Sequence, residues 1–451
     1  MRLRRLLLFA LLLFACTRHE KRVIFVGLDG ADWRLLDRFV ADGTMPRLGE
    51  ILQRAERRVL LTQHPPLSPL VWTTMMTGVS PLRHRILDFT RYSPVTRQQE
   101  PITSDERAVP AIWNIATSHG KRVGVFGMWA TYPAEPGVVL TDRDLPRDFV
   151  AATEFTHQRA AAWIRKQKPH LAIVYFQGTD EIGHFTAGDV EKSRAYFHRI
   201  DEILGDYRAL AEQLDAELVV ASDHGFDWGG KHDESSTATA TAAKWHRNEG
   251  VYLRWPRERS VGVPVGVGQI CAMLLEMLDL RPGGAAGSQP AGREAKSDGG
   301  LRARRSTGDE EAVAKLKALG YIGSTAGAPK NATGTRTPQS YNNEGLILRE
   351  SGRIEAAESA FMQALALDSA YASARQNLDD LLAARGVERL KAGDCRGALA
   401  DLRHVTRQSA LLWASIAAAE GCLGHDRAAE EAVRHSLAIN PNQPELRRLV
   451  D

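Results

Sequence analysis

The sequence predicts an α/β domain, a largely parallel sheet flanked by helices, followed by an all-α domain of repeated helical hairpins. Three observations carry that prediction. From residue 23 to about residue 280, short β-branched apolar runs alternate with amphipathic stretches, the signature of βαβ units. A stretch rich in Gly, Ala, Arg and Ser then interrupts the pattern, and such a composition builds no core. Beyond it, Gly352, Gly393 and Gly424 are each followed five residues later by an alanine, Ala357, Ala398 and Ala429, inside helix–turn–helix patterns.

Taken in order, VIFVGL (Val23 to Leu28) is a continuous apolar strand. RVGVF (Arg122 to Phe126), LAIVYF (Leu171 to Phe176) and ELVVAS (Glu217 to Ser222) are three more, each too short and β-branched for a helix. Asp189 to Leu214 carries Ala195, Phe197, Ile200, Ile203 and Leu204 near helical spacing and predicts an amphipathic helix. VYLRW, ending at Trp255, is a further strand candidate. Residues 281–307 read as a flexible excursion, a short helix is expected from Glu310 to Leu319 with Gly320 as its stop, and the loose stretch from Ser324 to Gln339 reads as the interdomain linker. The expected division is therefore a domain over 21–322, a linker over 323–338 and repeats over 339–451.

In the repeats, Gly345, Ala357, Phe361 and Ala364 fit the small and aromatic positions of the tetratricopeptide (TPR) pattern, and Trp413, Ala429 and Pro441 fit those of a later unit. The marker glycines are 41 and 31 residues apart, bracketing the ideal period of about 34. Three degenerate TPR-like repeats are expected, with a generic Ala-rich bundle as the alternative. Such repeats present a concave surface to a protein partner.

Composition narrows the class. A hydrophobic share of 43% and a charged share of 25% argue against a mainly disordered, collagen-like or polytopic chain. The 58 basic against 55 acidic residues give no electrostatic reason to expect nucleic acid as a partner. Four cysteines in 451 residues exclude a disulfide scaffold and a CxxC zinc site. Cys395 and Cys422 read as free thiols in helix packing, with pairing as the alternative.

At the N-terminus, Arg2, Arg4 and Arg5 precede a ten-residue apolar run from Leu6 to Ala15. That is too short to span a bilayer and reads as a signal peptide over 1–15. Leu13-Phe14-Ala15-Cys16 resembles a bacterial lipobox, although Phe14 is an unusual filler. The resemblance implies lipidation of Cys16 and membrane attachment through the lipid anchor; a plain secretory signal is the alternative. Either implies export to the bacterial cell envelope, with the chain facing the periplasm or cell surface.

The chemistry sits where strands are expected to end. Asp29 follows VIFVGL, Asp180 and His184 follow LAIVYF in FQGTDEIGH, and Asp223 and His224 follow ELVVAS in SDHGF. His246, in KWHRNEG, precedes the VYLRW strand. In open α/β sheets ligands bind at the carboxyl ends of strands. Asp180 and His184 are one helical turn apart and can reach one ion, and Gly225 lets a turn splay Asp223 and His224. Carboxylate oxygen and imidazole nitrogen without thiolate suit zinc or a similar divalent ion.

The motifs GLDGAD, PPLSPLVWTTMMTGVSP, DEIGH, SDHGF and WHRNEG together resemble the alkaline phosphatase superfamily, in its type I phosphodiesterase/nucleotide pyrophosphatase branch, over residues 23 to about 322. The resemblance implies an alkaline-phosphatase-like sheet and two divalent metal ions, zinc being the expected pair. Asp180, His184 and His246 would hold one, and Asp29, Asp223 and His224 the other. It also implies that Ser68 is the nucleophile, ten residues before Gly78, with a phosphate ester as substrate and a covalent phospho-enzyme intermediate. Metal coordination makes a hydroxyl nucleophilic near neutral pH. Leu70, Val71, Trp72 and Met75 would pack the helix that Ser68 opens. Ser68 could also cap that helix, while Thr73, Thr74 and Thr77 are rival hydroxyls deeper in it.

Two positions depart from the family pattern. Nucleotide pyrophosphatases carry an Asn about twenty residues after the nucleophile that binds a substrate oxygen; here the place is Phe89. The usual His-Gly before it is His84-Arg85, and Arg85 or a backbone amide is the expected substitute. No Cys-x-Pro-x-Arg motif lies near Ser68, which disfavours a formylglycine sulfatase. His232 and Asp233 are runner-up ligands to His246, beside a low-complexity loop from Ser235 to Lys244. Two rival functions remain: phosphotransfer or monoester hydrolysis on an envelope glycan or lipid, and a TPR scaffold lipoprotein with a vestigial hydrolase domain.

Overall fold

The first strand, β1 (Val23–Leu28), is buried along its whole length, and its neighbours decide where the chemistry gathers. A computed structural model describes residues 20–229, 245–280, 307–318 and 334–448. The signal peptide with Cys16, the alternative ligands His232 and Asp233, the Ser235–Lys244 loop, and most of the 281–307 and 324–339 stretches lie outside the described residues. No helix among the described residues is long and apolar enough to cross a membrane.

In chain order the strands after β1 are β2 (Glu56–Leu61), β3 (Thr90–Tyr92), β4 (Gln99–Pro101), β5 (Val123–Phe126), β6 (Val138–Leu140), β7 (Leu171–Phe176) and β8 (Glu217–Ala221). They continue as β9 (Gly225–Phe226), β10 (His246–Arg247), β11 (Glu249–Trp255), β12 (Ser260–Val261) and β13 (Val265–Gly266). Nine strands form one sheet in the order β12-β2-β11-β8-β1-β7-β5-β6, with β13 beside β2. β1 runs parallel to both β7 and β8. β5 is parallel to β7 and β6, and β11 is antiparallel to β2 and β8. All four strands expected in βαβ units are present, as is the VYLRW strand within β11.

The chain splits into two compact units. The first takes in the described residues up to His84, those from Thr103 to 229, and 245–280. Its sheet is covered on both faces, so β1 and β7 are continuously apolar rather than alternating. Ile24, Val26, Ala172 and Val174 join one core with the helices Trp33–Ala41, Phe149–Gln167 and Val190–Leu214. Phe25, Leu171, Ile173 and Tyr175 join the other with Ser68–Thr77, Ile112–Ser118 and Ile270–Met277. Each fully buried aliphatic or Phe side chain contributes roughly 1.5–3 kcal/mol. The expected helix at 189–214 runs from Val190, with Asp189 as its cap accepting from the Glu191 and Lys192 amides.

The second unit comprises Arg85–Ile102 together with the described residues from Thr307 onward. β3 and β4 form an antiparallel hairpin held by the later chain: Asn343 Nδ2 donates to the Leu87 carbonyl at 2.8 Å, and Thr337 Oγ1 donates to Asp88. A helix over Thr307–Ala318 covers most of the one expected at 310–319. The repeats are three helical hairpins: Pro338–Glu350 with Ile354–Leu367, Ala372–Lys391 with Cys395–Arg403, and Ala410–Cys422 with Asp426–Ile439. Gly352, Gly393 and Gly424 sit in the three turns with φ of 74°, 82° and 75°, and an added Cβ would meet nothing within 4 Å at any of them. The left-handed backbone that ends each first helix, rather than lack of space, calls for glycine there.

The expectation of free thiols at Cys395 and Cys422 is corrected, because they form a disulfide with a Cα–Cα distance of 6.1 Å. Cys395 opens one helix and Cys422 closes the next, and stacking of adjacent hairpins brings those ends together. Cys271 is the free, buried cysteine among the described residues.

Gly345 shows how tightly the first hairpin is closed: a Cβ there would lie 2.4 Å from the Phe361 ring. Gly345→Ala is expected to destabilise the protein by about 1–3 kcal/mol, seen in chemical denaturation as a lower midpoint.

Candidate metal centre

Strand order explains why distant motifs meet. β8, β1 and β7 are adjacent and parallel, so their carboxyl ends lie side by side and deliver Asp223, Asp29 and Asp180 to one edge. Crossing hydrogen bonds tie those ends: Asp29 N donates to the Phe176 carbonyl at 3.1 Å, and Gly30 N to Asp223 Oδ1 at 3.2 Å. β11 runs the other way, pairing Tyr252 with Ala221, so its amino end, just after His246, reaches the same edge. β2 is antiparallel to β11, with Leu61 opposite Glu249. The chain leaving β2 therefore brings Ser68 there too.

All six expected ligands converge. His184 Nε2 lies 3.3 Å from Asp180 Oδ2 and 3.3 Å from His246 Nε2, and His246 Nε2 lies 3.4 Å from Asp180 Oδ1. His224 Nε2 lies 3.4 Å from Asp29 Oδ1 and 3.3 Å from Asp223 Oδ2. Ligands at the usual 2.0–2.1 Å from zinc stand about 3.3 Å apart along the edges of a tetrahedron. Asp29, Asp223 and His224 form one group able to hold a cation. Asp180 and His246 form another in which His224 is a member as well, while His184 touches both. The two expected sets thus adjoin at His224, whose ring stacks on His246 at 3.7 Å.

The imidazoles are oriented for this role. His246 Nδ1 pairs with the Pro66 carbonyl at 2.7 Å and His224 Nδ1 with the Gly225 carbonyl at 3.1 Å. A carbonyl accepts only from N–H, so the proton sits on Nδ1 and Nε2 is presented as a ligand. His224 Nε2 and Asp223 Oδ2 are buried without a hydrogen bond, a costly arrangement that a cation would relieve.

The electrostatics agree. Burial, then repulsion from Asp223 and Asp180, holds the Asp29 carboxyl well above the usual carboxylate range. Burial pushes Asp223 up to about 7. Burial also acts to raise Asp180, but the His184 and His246 imidazoles outweigh it and hold that carboxyl well below its ordinary value. Burial, then the neighbouring His246, depresses His224. For His246 burial is opposed and overcome by Asp180, which raises it. Carboxylates so crowded need positive charge to remain ionised together.

Ser68 is the first residue of the Ser68–Thr77 helix, with Leu67 at the cap position and no side-chain cap bond. The capping role is therefore corrected: Pro69 follows at once, and the hydroxyl turns away to donate to Asp29 Oδ1 at 3.2 Å. The expected packing residues Leu70, Val71, Trp72 and Met75 are buried, as is the rest of the helix. Two of the rival hydroxyls are engaged elsewhere: Thr74 Oγ1 pairs with His84 Nε2 at 3.0 Å, and Thr77 Oγ1 donates to the Thr73 carbonyl. At the two departures from the family pattern, exposed Arg85 has φ of 68°, a conformation that suits the glycine it replaces. Phe89 is fully buried in the second unit.

Sequence reasoning missed the groups behind the ligands. Tyr175 Oη donates a short hydrogen bond to Asp29 Oδ2, and Thr179 Oγ1 donates to the Asp29 carbonyl at 2.6 Å. Asp32, last residue of GLDGAD, accepts from the Arg34 amide at the start of the Trp33–Ala41 helix and faces Arg247 Nε at 3.1 Å, steadying the residue beside His246. Tyr175 lies in a run read only as a strand, and its aim is visible only once β7 is paired with β1.

Sheet and site together define the class: the fold of a phosphoester hydrolase, joined to helical repeats. The chain belongs to the type I phosphodiesterase/nucleotide pyrophosphatase family, whose model matches residues 23–280, more than half of the chain. A tetratricopeptide repeat model matches residues 338–371. Among solved structures, murine ectonucleotide pyrophosphatase/phosphodiesterase 5 in complex with AMP is 16% identical, over 58% of this chain and 96% of that one, with a TM-score of 0.45. The human counterpart is 14% identical over 58% and 95%, with a TM-score of 0.43. Phosphonoacetate hydrolase from Sinorhizobium meliloti with phosphonoformate is 19% identical over 48% and 58%, at 0.39. A search of curated protein sequences finds no match.

The crowded carboxylates make a signed prediction. In the metal-free protein Asp223 titrates near 7 when folded and near 3.9 when unfolded. The folded state then holds the extra proton, and stability falls as pH rises from about 4 through 7. At pH 8 with chelator, Asp223→Asn should stabilise the protein by on the order of 2 kcal/mol. The same variant should lose most of the thermal stabilisation that added Zn2+ gives the parent protein, measured by thermal melts in both conditions.

Proposed function

We propose that this chain is an exported phosphoric ester hydrolase, acting on diesters, that works with two divalent cations and uses Ser68 as its nucleophile. The observation that carries the reading is the convergence of Asp29, Asp180, His184, Asp223, His224 and His246 at spacings that suit ligands of a small divalent ion, with the Ser68 hydroxyl donating to Asp29. Asp180, His184 and His246 would hold one cation, and Asp29, Asp223 and His224 the other. When bound, such a pair neutralises the charge of a phosphoryl group and favours the ionised serine oxygen.

The rest falls to the chain itself. Ser68 stands at the amino end of a ten-residue helix, where the helix dipole favours an anionic phosphate. Its hydroxyl already donates to Asp29 Oδ1, which gives the proton a first acceptor. Ser68 Oγ forms a bond to phosphorus as the bond to one ester oxygen breaks, and that alcohol leaves. Water then attacks the phosphoseryl ester, which still carries the second alcohol, breaking the bond from Ser68 Oγ to phosphorus, releasing a phosphate monoester and restoring Ser68.

Export is supported by the basic and apolar N-terminal segments and by the Cys395–Cys422 disulfide, since disulfides persist in oxidising compartments. Lipidation at Cys16 would tether the chain to a membrane of the cell envelope, and the TPR-like repeats would take a protein partner. Phe89 in place of the oxygen-binding Asn favours, as a second reading, phosphotransfer or monoester hydrolysis on an envelope glycan or lipid.

Purified protein is expected to hydrolyse a generic aryl phosphodiester, and chelator or Ser68→Ala should each lower the rate at least about a thousand-fold. Activity that survives both treatments rejects the mechanism. A faster rate on the matching monoester, or capture of the phosphoryl group by an added alcohol, selects the second reading.

A further inference from the structure

Tyr175 is a fully buried side chain on β7 whose hydroxyl has two partners. It donates to Asp29 Oδ2 and accepts from Trp129 Nε1 at 2.7 Å. The other Asp29 oxygen, Oδ1, accepts from Ser68 and faces His224 Nε2 at 3.4 Å. The carboxylate is thereby divided, one oxygen for the relay behind it and one for the site.

The ring is fixed as firmly as the hydroxyl. Gly27 of β1 is the register partner of Tyr175, and a Cβ at that position would lie 2.8 Å from the Trp72 ring and 3.3 Å from the Tyr175 ring. Trp72 belongs to the Ser68–Thr77 helix and meets Tyr175 edge-on at 5.1 Å between centroids. Strand β7, the Asp29 ligand and the helix that begins with Ser68 are therefore packed through one phenol ring.

We infer that Tyr175 is a positioning residue for the cation held by Asp29, Asp223 and His224: its hydroxyl, steadied by Trp129, pins Asp29 Oδ2 and so directs Oδ1 at the cation and at Ser68. The inference rests on the two-cation reading above and adds to it a residue outside the ligand set. Partners behind a metal ligand fix its orientation, and their loss typically costs 10–100-fold in metal affinity. Tyr175→Phe removes the hydroxyl alone and keeps the ring that packs on Trp72.

The test titrates metal-free full-length protein with Zn2+ by calorimetry and follows Co2+ by its visible absorption. Wild type is expected to take two cations. Tyr175→Phe should bind one of them as wild type does and the other about 10–100-fold more weakly, with an altered Co2+ spectrum for the weakened site. Trp129→Phe, which leaves the hydroxyl in place but unsteadied, should show a smaller loss at the same site, and it decides the matter should Tyr175→Phe fail to fold. Two wild-type affinities and an unchanged Co2+ spectrum in both variants, whatever their melting temperatures, overturn the inference and leave the two-cation reading intact. A wild-type protein that binds neither Zn2+ nor Co2+ overturns both.

Discussion

Three carboxylates buried side by side at the edge of a parallel sheet set the terms for the rest of the first unit. Asp29, Asp180 and Asp223 have nearly no solvent exposure, and ionised carboxylates in such a place repel one another with little screening. The fold reaches this arrangement by making β1 the central strand between β7 and β8, so that three successive carboxyl ends each contribute an acid. Imidazoles supply part of the compensation and hold Asp180 ionised. Asp29 and Asp223, pushed upward by burial, are left with a deficit of positive charge. A stable domain does not assemble such a deficit without use for it, and the apolar cores on both faces of the sheet provide the stability that offsets it.

Much of this was legible in the sequence where the relevant spacing is local. Asp180 and His184 announce themselves by lying one helical turn apart, and the helix Gly178–Phe185 carries them as expected. The strands were legible because a sheet covered on both faces requires unbroken apolar runs. The turn glycines at 352, 393 and 424 were legible through their repeat, and each proves to hold the left-handed backbone that ends a helix.

What remained hidden depends on pairing between distant segments. Nothing in LAIVYF tells that its tyrosine, rather than any other member, meets Asp29; that follows from the register of β7 on β1. The Cys395–Cys422 bond joins residues 27 apart and depends on how two helical hairpins stack. Ser68 reads equally well as a cap, and only the neighbouring Asp29 carboxylate and the following proline turn its hydroxyl into the site.

The segment Arg85–Ile102 bears most directly on substrate choice. In nucleotide pyrophosphatases this stretch supplies an Asn to a substrate oxygen, whereas here it forms a hairpin whose Phe89 is a core residue of the second unit. The hairpin is secured by residues that begin the repeats: Asn343 on Leu87, Thr337 on Asp88, and the Thr335 carbonyl accepting from Tyr92 N. A segment that packs by burying Phe89 and satisfying Asp88 cannot also offer Phe89 to a polar ligand without exposing apolar surface and a buried carboxylate. The position at which the family pattern places a polar contact is thus occupied here by a packed aromatic ring. On the proposed two-cation reading, recognition of the ester then falls to residues other than Phe89, whose ring is taken up by packing.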